Sequence, residues 1–254
     1  MLRIGTQKIK ELRIGTQKIK EAWVGATKVF SSGVAIGTLP VGSSVFMRVN
    51  NVLTEFLVVH QGNPDVNIYS TTFDNGTILL MKNIYENKQW NSSNLNDYAN
   101  STLNAYLNSD FLTLFDANIQ AIIKQVKVPY RQGSGTSTTV TSGENGLSCK
   151  IFLLSGAEVG FARRDASYLP TNEGVKLNYF ESGTGTSATK KRIGKLNGSA
   201  AGWWNRSPSC DDSRYASGVF SDGEPYHDYC SNSFGVRPAL VLPNNTTINA
   251  NNII

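Results

Sequence analysis

The sequence predicts an α+β domain built on short strands and entered through a β-repeat leader, and three observations carry that expectation. Asn, Ser, Thr and Gly together supply 93 of the 254 residues, a composition suited to turns and short strands. Apolar residues alternate or cluster in runs of about four at several places, as in strands. One stretch, residues 97–125, instead repeats its apolar residues at three- and four-residue spacing, as helices do. With 40% apolar and 17% charged residues the chain is globular and long enough for a core of its own.

The leader comes first. Leu2–Glu11 reads LRIGTQKIKE, Leu12–Glu21 repeats it, and Ala22–Ser31 (AWVGATKVFS) is a degraded third copy. A ten-residue period with a Gly-containing turn between two alternating pieces predicts hairpin or solenoid-like units. Such units cannot bury a core alone and would pair with a partner chain or a neighbouring copy; the other reading is a flexible basic leader. A linker, Ser31–Gly33, sets the boundary between residues 1–33 and a domain at 34–254.

In that domain Val45–Val49, Glu55–His60 and Thr77–Lys82 predict a three-stranded meander. Leu103, Tyr106, Leu107, Phe111, Leu114, Phe115, Ile119, Ile122 and Ile123 predict two consecutive helices, the first capped by Asp97 or Ser101 and the second by Asp110. Gly133–Gly146 reads as a mobile loop, Lys150–Leu154 as a short buried strand, and residues 181–202 as a second loop-like stretch. A final strand ends at Val236–Leu242, and the last dozen Asn-rich residues should fray.

Charge and cysteine content exclude several functions. The net charge of +5 lies entirely in residues 1–33, while the other 221 residues carry 17 basic and 17 acidic groups. A neutral body has no basic face for nucleic acid. No apolar run approaches the ~20 residues of a membrane helix, and the Lys/Arg-dotted N-terminus does not read as a secretory signal. Cys149, Cys210 and Cys230 lack metal-type spacing and an even count, so a reducing cytoplasm is the expected place of synthesis.

Catalytic constellations are equally sparse. Of the two histidines, His60 closes an apolar run and reads as structural, and no G-x-S-x-G elbow surrounds Ser155, which with Asp65 could otherwise complete a triad. GSGTST at 133–138 and GTGTSATKK at 183–191 lack the Lys-Ser/Thr placement of a phosphate loop. Asp211, Asp212, Asp222 and Asp228 are the acids close enough in sequence for a calcium site. The expectation is a binding protein, not an enzyme, with no cofactor and no metal.

The informative stretch is Trp203–Leu242. Stiff or bulky residues stand at its ends, and Tyr, His, Asn, Ser and Asp crowd between them, the palette of adaptable binding surfaces. Randomising the adenines of asparagine codons would yield every residue except Lys, Glu, Gln, Met and Trp. These number 37 in the chain, yet Glu224 alone falls within residues 205–234, consistent with a variable segment there.

WWNRSP at 203–208 and GVRPAL at 235–240 resemble the W-W-x-R-S-P … G-V-R-P-A-L ending of uncharacterised domains abundant in gut bacteria and their phages. The resemblance also takes in residues 41–69, 90–111, 123–130 and 151–160. It implies a C-type-lectin-like fold, also that of formylglycine-generating enzymes, with two helices packed on short antiparallel sheets. It is similar to the variable proteins of diversity-generating retroelements and to phage tropism determinants. Trp203, Trp204, Arg206, Gly223, Gly235, Arg237 and Pro238 would then be scaffold. The ligand surface would comprise Asn205, Ser209, Cys210, Asp211, Asp212, Ser213, Arg214 and Tyr215, with Tyr226, His227, Asp228, Tyr229 and Asn232.

By the same resemblance the leader is similar to short repeats that precede adhesive domains in phage tails. The chain would then be a tail-associated adhesin, synthesised in the bacterial cytoplasm and carried on the virion or at the bacterial surface. It would bind a bacterial surface protein or glycan receptor and phage tail proteins, as a homotrimer by analogy with tail symmetry. Two alternatives stand beside it: a non-diversified structural protein, and a formylglycine-generating-like enzyme using Cys210 and Cys230. The four cysteines of animal C-type lectins and their E-P-N, Q-P-D and W-N-D sugar motifs are absent, so the fold label implies no carbohydrate site.

Overall fold

The computed structural model describes the chain apart from positions 1–2, 5–6, 9–10, 15, 20, 25–26, 32, 250 and 252. The structure is α+β, dominated by short strands in several small sheets. Among the described residues, no helix is long and apolar enough to cross a membrane.

Each copy of the leader repeat folds as one antiparallel hairpin: Arg3–Ile4 with Gln7–Lys8, Leu12–Ile14 with Gln17–Ile19, and Glu21–Val24 with Thr27–Ser31. In the middle copy Arg13 lies opposite Lys18, and Glu11 pairs with both, offsetting the like-charge contact. Leu12 and Ile14 point to the opposite face, as the two-residue period requires.

The domain follows, with β1 (Ser44–Val49), β2 (Val52–Gln61), β3 (Gly76–Met81), β4 (Glu86–Gln89), α1 (Thr102–Asn108), α2 (Ala117–Ile122), β5 (Ile151–Phe152), α3 (Thr186–Arg192), β6 (Trp203–Pro208), β7 (Tyr215–Val219), β8 (Pro225–Tyr229), β9 (Ser233–Val236) and β10 (Ala239–Pro243). One five-stranded antiparallel sheet runs β5–β10–β3–β2–β1, which includes the expected meander. A second runs β4–β9–β6–β7–β8, antiparallel except where β6 lies parallel to β9.

The first sheet is covered on both faces, which explains the unbroken apolar run Ile78–Met81. Ile78 and Leu80 enter one apolar cluster, Leu79 and Met81 the other, and Ala239/Val241 and Leu240/Leu242 divide in the same way. Trp203 and Trp204, successive residues of β6, likewise enter opposite clusters.

Several expectations need correction. Ser101 does cap α1, its Oγ accepting from the Asn104 N–H at 3.0 Å, with Leu103 and Leu107 buried one turn apart. The second helix starts after Asp116, not Asp110, because Asn50 and Val49 of the first hairpin capture Leu114 and Phe115 by backbone pairing and interrupt the helical run. The stretch 181–202 contains α3, whose Ala188 and Arg192 form the buried face. The final strand is two, β9 and β10, in different sheets. Described residues of the C-terminus are tied down: Thr247–Ile248 pairs with Val34–Ala35, Ile248 is buried, and the Ile254 N–H donates to Phe46 at 3.1 Å. The loop 133–146 is strapped by paired Tyr130–Thr141 bonds and by Asn96 and Arg131 on the Gly135 carbonyl.

Arg206 is fully buried at the middle of β6. It makes a bidentate pair with Glu158 at 2.6 Å for both bonds and donates to the carbonyls of Pro129 at 2.8 Å and Leu153 at 2.9 Å. Tyr69 donates its hydroxyl to the same carboxylate at 2.7 Å. Glu158→Ala is expected to cost about 3–5 kcal/mol by leaving a buried guanidinium without its counter-charge, measured as a lower urea midpoint.

Candidate functional site

The β7–β8 hairpin forms the outer edge of the second sheet. Its register sets Tyr215 opposite Tyr229, Ser217 opposite His227 and Gly218 opposite Tyr226. Alternation therefore sorts its side chains onto two faces. On one, Tyr168, His227, Tyr215 and Tyr229 form a continuous row, with ring centroids 4.3, 5.1 and 4.3 Å apart in that order. On the other, Phe220, Tyr226, Phe234 and Trp204 form a second row at 5.0, 5.6 and 5.1 Å. Gly202 and Gly218 make room for Phe234, because a β-carbon at either position would meet its ring.

Arg214 closes the first row. Its guanidinium lies 5.5 Å from the Tyr229 ring centre and grips Asp212 through two bonds, at 3.0 and 2.7 Å. Arg214 holds the Asp212 carboxyl down at about 2, and the bond with Tyr229 pushes the Tyr215 phenol up to about 12.

The turn that carries these residues is held from beneath. The buried Asn96 amide donates to the carbonyls of Ser209 at 2.8 Å and Asp212 at 3.1 Å, and its backbone N–H donates to Ser213 at 2.8 Å. Arg131 in turn donates to the Asn96 carbonyl and side-chain oxygens at 2.8 and 2.7 Å. Asn96 and Arg131 carry no sequence signal of this role; Glu158 does, as a lone acid inside the apolar run IFLLSGAEVG.

The structure places Cys210, Asp211, Asp212, Ser213, Arg214, Tyr215, Tyr226, His227, Asp228, Tyr229 and Asn232 at exposed or half-buried positions on this edge and its turns. Asn205 and Ser209 do not belong with them. Both are fully buried, Asn205 because β6 is interior to its sheet, and Ser209 because its backbone pairs with Tyr215 and Asn96. The Asn205 amide nitrogen reaches Ser217 Oγ at 3.5 Å, while Asn205 Oδ1 and His227 Nδ1 are buried without a hydrogen-bond partner among the described residues.

The residues read as scaffold are all buried. Trp203 donates to the Arg192 carbonyl and Trp204 to that of Lys88, each at 2.9 Å. Arg237 donates to the carbonyls of Met81 and Lys82 at 2.9 Å and lies 4.9 Å over the Trp203 ring; Pro238 is buried next to it. Gly223 stands at φ +92°, its absent β-carbon replaced by the Thr189 carbonyl, and Gly235 packs on the Gly202 carbonyl.

His60 accepts from the Asn178 N–H at 3.3 Å, and burial lowers its pKa, a structural role. Burial raises the thiols of Cys210 and Cys230, the latter to about 12, away from the thiolate that chemistry requires. Among the described residues, no three His, Cys, Asp or Glu side chains are placed to hold a metal ion, the four-aspartate group included.

Residues 75–244, two thirds of the chain, match a family model described as domain of unknown function (DUF6273), and the chain belongs to that family. The match runs from the start of β3 through the end of β10 and takes in the whole second sheet. Neither the curated proteins nor the solved structures return a match.

Glu173 accepts from the Arg131 N–H at 3.4 Å, and burial raises its carboxyl to about 7. The folded chain therefore holds this proton more tightly than the unfolded one, and the group's contribution to stability falls as pH rises from about 4.5 to about 7. The wild-type minus Glu173→Gln difference in unfolding free energy should decline across that window, by something on the order of 3 kcal/mol, and be flat above it. Urea titrations at stepped pH would measure the slope.

Proposed function

We propose that this DUF6273 protein is a receptor-binding module: a C-type-lectin-like domain of a phage or prophage tail adhesin, presenting a diversified surface to a bacterial cell-surface molecule. The observation that carries the reading is the contrast between the edge hairpin and its support. Tyr215, Tyr226, His227 and Tyr229 stand half-exposed on β7–β8, while the residues beneath them are buried and bonded to backbone carbonyls. Side chains on such an edge can change without disturbing the bonds that hold the sheet.

The mechanism is recognition without chemistry. Stacked rings supply rigid contact area at little entropic cost, and Asp211, Asp228 and Asn232 supply directional bonds. The raised thiols of Cys210 and Cys230 favour binding over a cysteine-based reaction. With Asn205 and Ser209 buried, the proposed variable set is Cys210–Tyr215, Tyr226–Tyr229 and Asn232, and the leader hairpins would join the domain to the tail, where multiple copies would raise weak site affinities by avidity.

Tyr226→Ala and Tyr229→Ala are expected to remove binding of the labelled full chain to its target cells, with Tm falling by no more than about 2–4 °C, equivalent to roughly 1 kcal/mol. Equal loss of binding and fold would contradict the surface assignment. Deep sequencing of the gene through population growth should show changes concentrated in codons 210–232, with Trp203, Arg206, Arg237 and Pro238 constant. Uniform invariance would leave a non-diversified structural protein.

A further inference from the structure

Beside the aromatic edge lies a concavity of different chemistry. The middle of the 133–146 loop, together with residues 67–68 and 171–172, borders an open notch of about 500 Å³, a volume within the range of small-ligand sites. Its walls are held in place: the Thr171 N–H donates to Thr138 at 3.3 Å, the Gly143 N–H to Ile68 at 2.8 Å, and Tyr130 and Thr141 exchange bonds at 3.0 and 2.8 Å. The polar lining is Asn67, Thr138, Thr139, Ser142, Thr171 and Asn172, and among the described residues that line the notch none is charged. Ile68 and Val140 complete it.

The fold uses few of these polar ends. The Asn67 amide binds the Asp65 carboxylate at 3.0 Å, whereas the hydroxyls of Thr138, Thr139, Ser142 and Thr171 and the amide of Asn172 have no hydrogen bond to another described residue. Four hydroxyls and one amide thus border one concavity with two aliphatic side chains. An ionic ligand would find no counter-charge there, and an apolar one would take solvent-facing polar groups out of water without a partner. A ligand with many hydroxyls, each both donor and acceptor, and with C–H faces for Ile68 and Val140 matches the lining. We infer that the notch binds a neutral saccharide unit of a cell-surface glycan.

The notch adjoins the proposed receptor surface: the Cys210 thiol donates at 3.2 Å to the carbonyl of Ser137, the residue before Thr138. The inference rests on the proposed function for the source of the glycan and not for the chemistry of the site. None of the lining residues falls in segment 205–234, so this contact would stay constant while the hairpin varies.

The test is an array of neutral oligosaccharides probed with the full chain, followed by calorimetric titration of the best binder. Thr138→Ala/Thr171→Ala/Asn172→Gly removes three unused polar ends; glycine suits position 172, whose φ is +61°. At least one neutral oligosaccharide should bind wild type, and bind the triple variant about tenfold or more weakly, with thermal stability retained because all three residues are exposed. Tyr229→Ala should bind the same oligosaccharide as wild type does. Absence of any neutral binder, undiminished binding by the triple variant, or equal loss in Tyr229→Ala would each overturn the proposal. Failure of the hairpin reading would show separately, as unaltered cell binding by Tyr229→Ala.

Discussion

The guanidinium of Arg206 is the contact on which the rest of the domain depends. It reaches from the centre of the second sheet to Pro129, Leu153 and Glu158, which belong to chain segments with no strand pairing to β6. Burying such a charge costs several kcal/mol, and only a carboxylate with matched geometry and carbonyls for the remaining donors offsets it. That condition fixes position as well as energy. A displaced Glu158 would also abandon the Tyr69 hydroxyl and the Ser155 N–H, which its other bonds satisfy.

Around this anchor the domain separates a packed interior from a half-exposed edge. The two apolar clusters and the two tryptophans of β6 make an interior in which small changes of volume are felt. The edge strand β8 is half-exposed along its whole length and contacts the sheet on one side only. An exposed edge is ordinarily a hazard for unwanted pairing. Here Pro225 begins the strand and withholds one donor, and Asp228 places a charge on it, two devices that discourage a second chain from adding on.

Local pattern made much of this legible in the sequence. The leader hairpins follow from the ten-residue period, the meander from its apolar runs, and the start of α1 from Ser101 and the Leu103/Leu107 spacing. Failures arose where tertiary contacts overrode local signals. Asn205 looks like a surface residue because a polar side chain in an interior strand reads the same as one on an edge, and only sheet order distinguishes them; Ser209, just past β6, is buried through its bonds to Tyr215 and Asn96. Thr186–Arg192 was hidden by its Gly/Ser/Thr surroundings, and its buried face is one alanine and one arginine, hardly an apolar stripe. The Asn96–Arg131 clamp joins residues 35 positions apart to a turn more than 70 further on, a relation that spacing cannot encode. The composition of residues 205–234 pointed to the edge hairpin, whereas of the notch-lining residues those at 138–142 lay in a stretch read only as loop and Thr171 and Asn172 in one that carried no signal.

The pairing of Val34–Ala35 with Thr247–Ile248 has a mechanical meaning. Just inside it, the Ile36 and Gly37 N–H groups bind the Thr246 and Asn244 carbonyls, each at 2.9 Å, and Asn244 lies next to the end of β10. Tension arriving through the leader therefore does not unravel the first residues of the domain one by one. It is handed across this clasp to β10, an interior strand of the first sheet, and so is spread over that sheet before it can reach the β7–β8 edge.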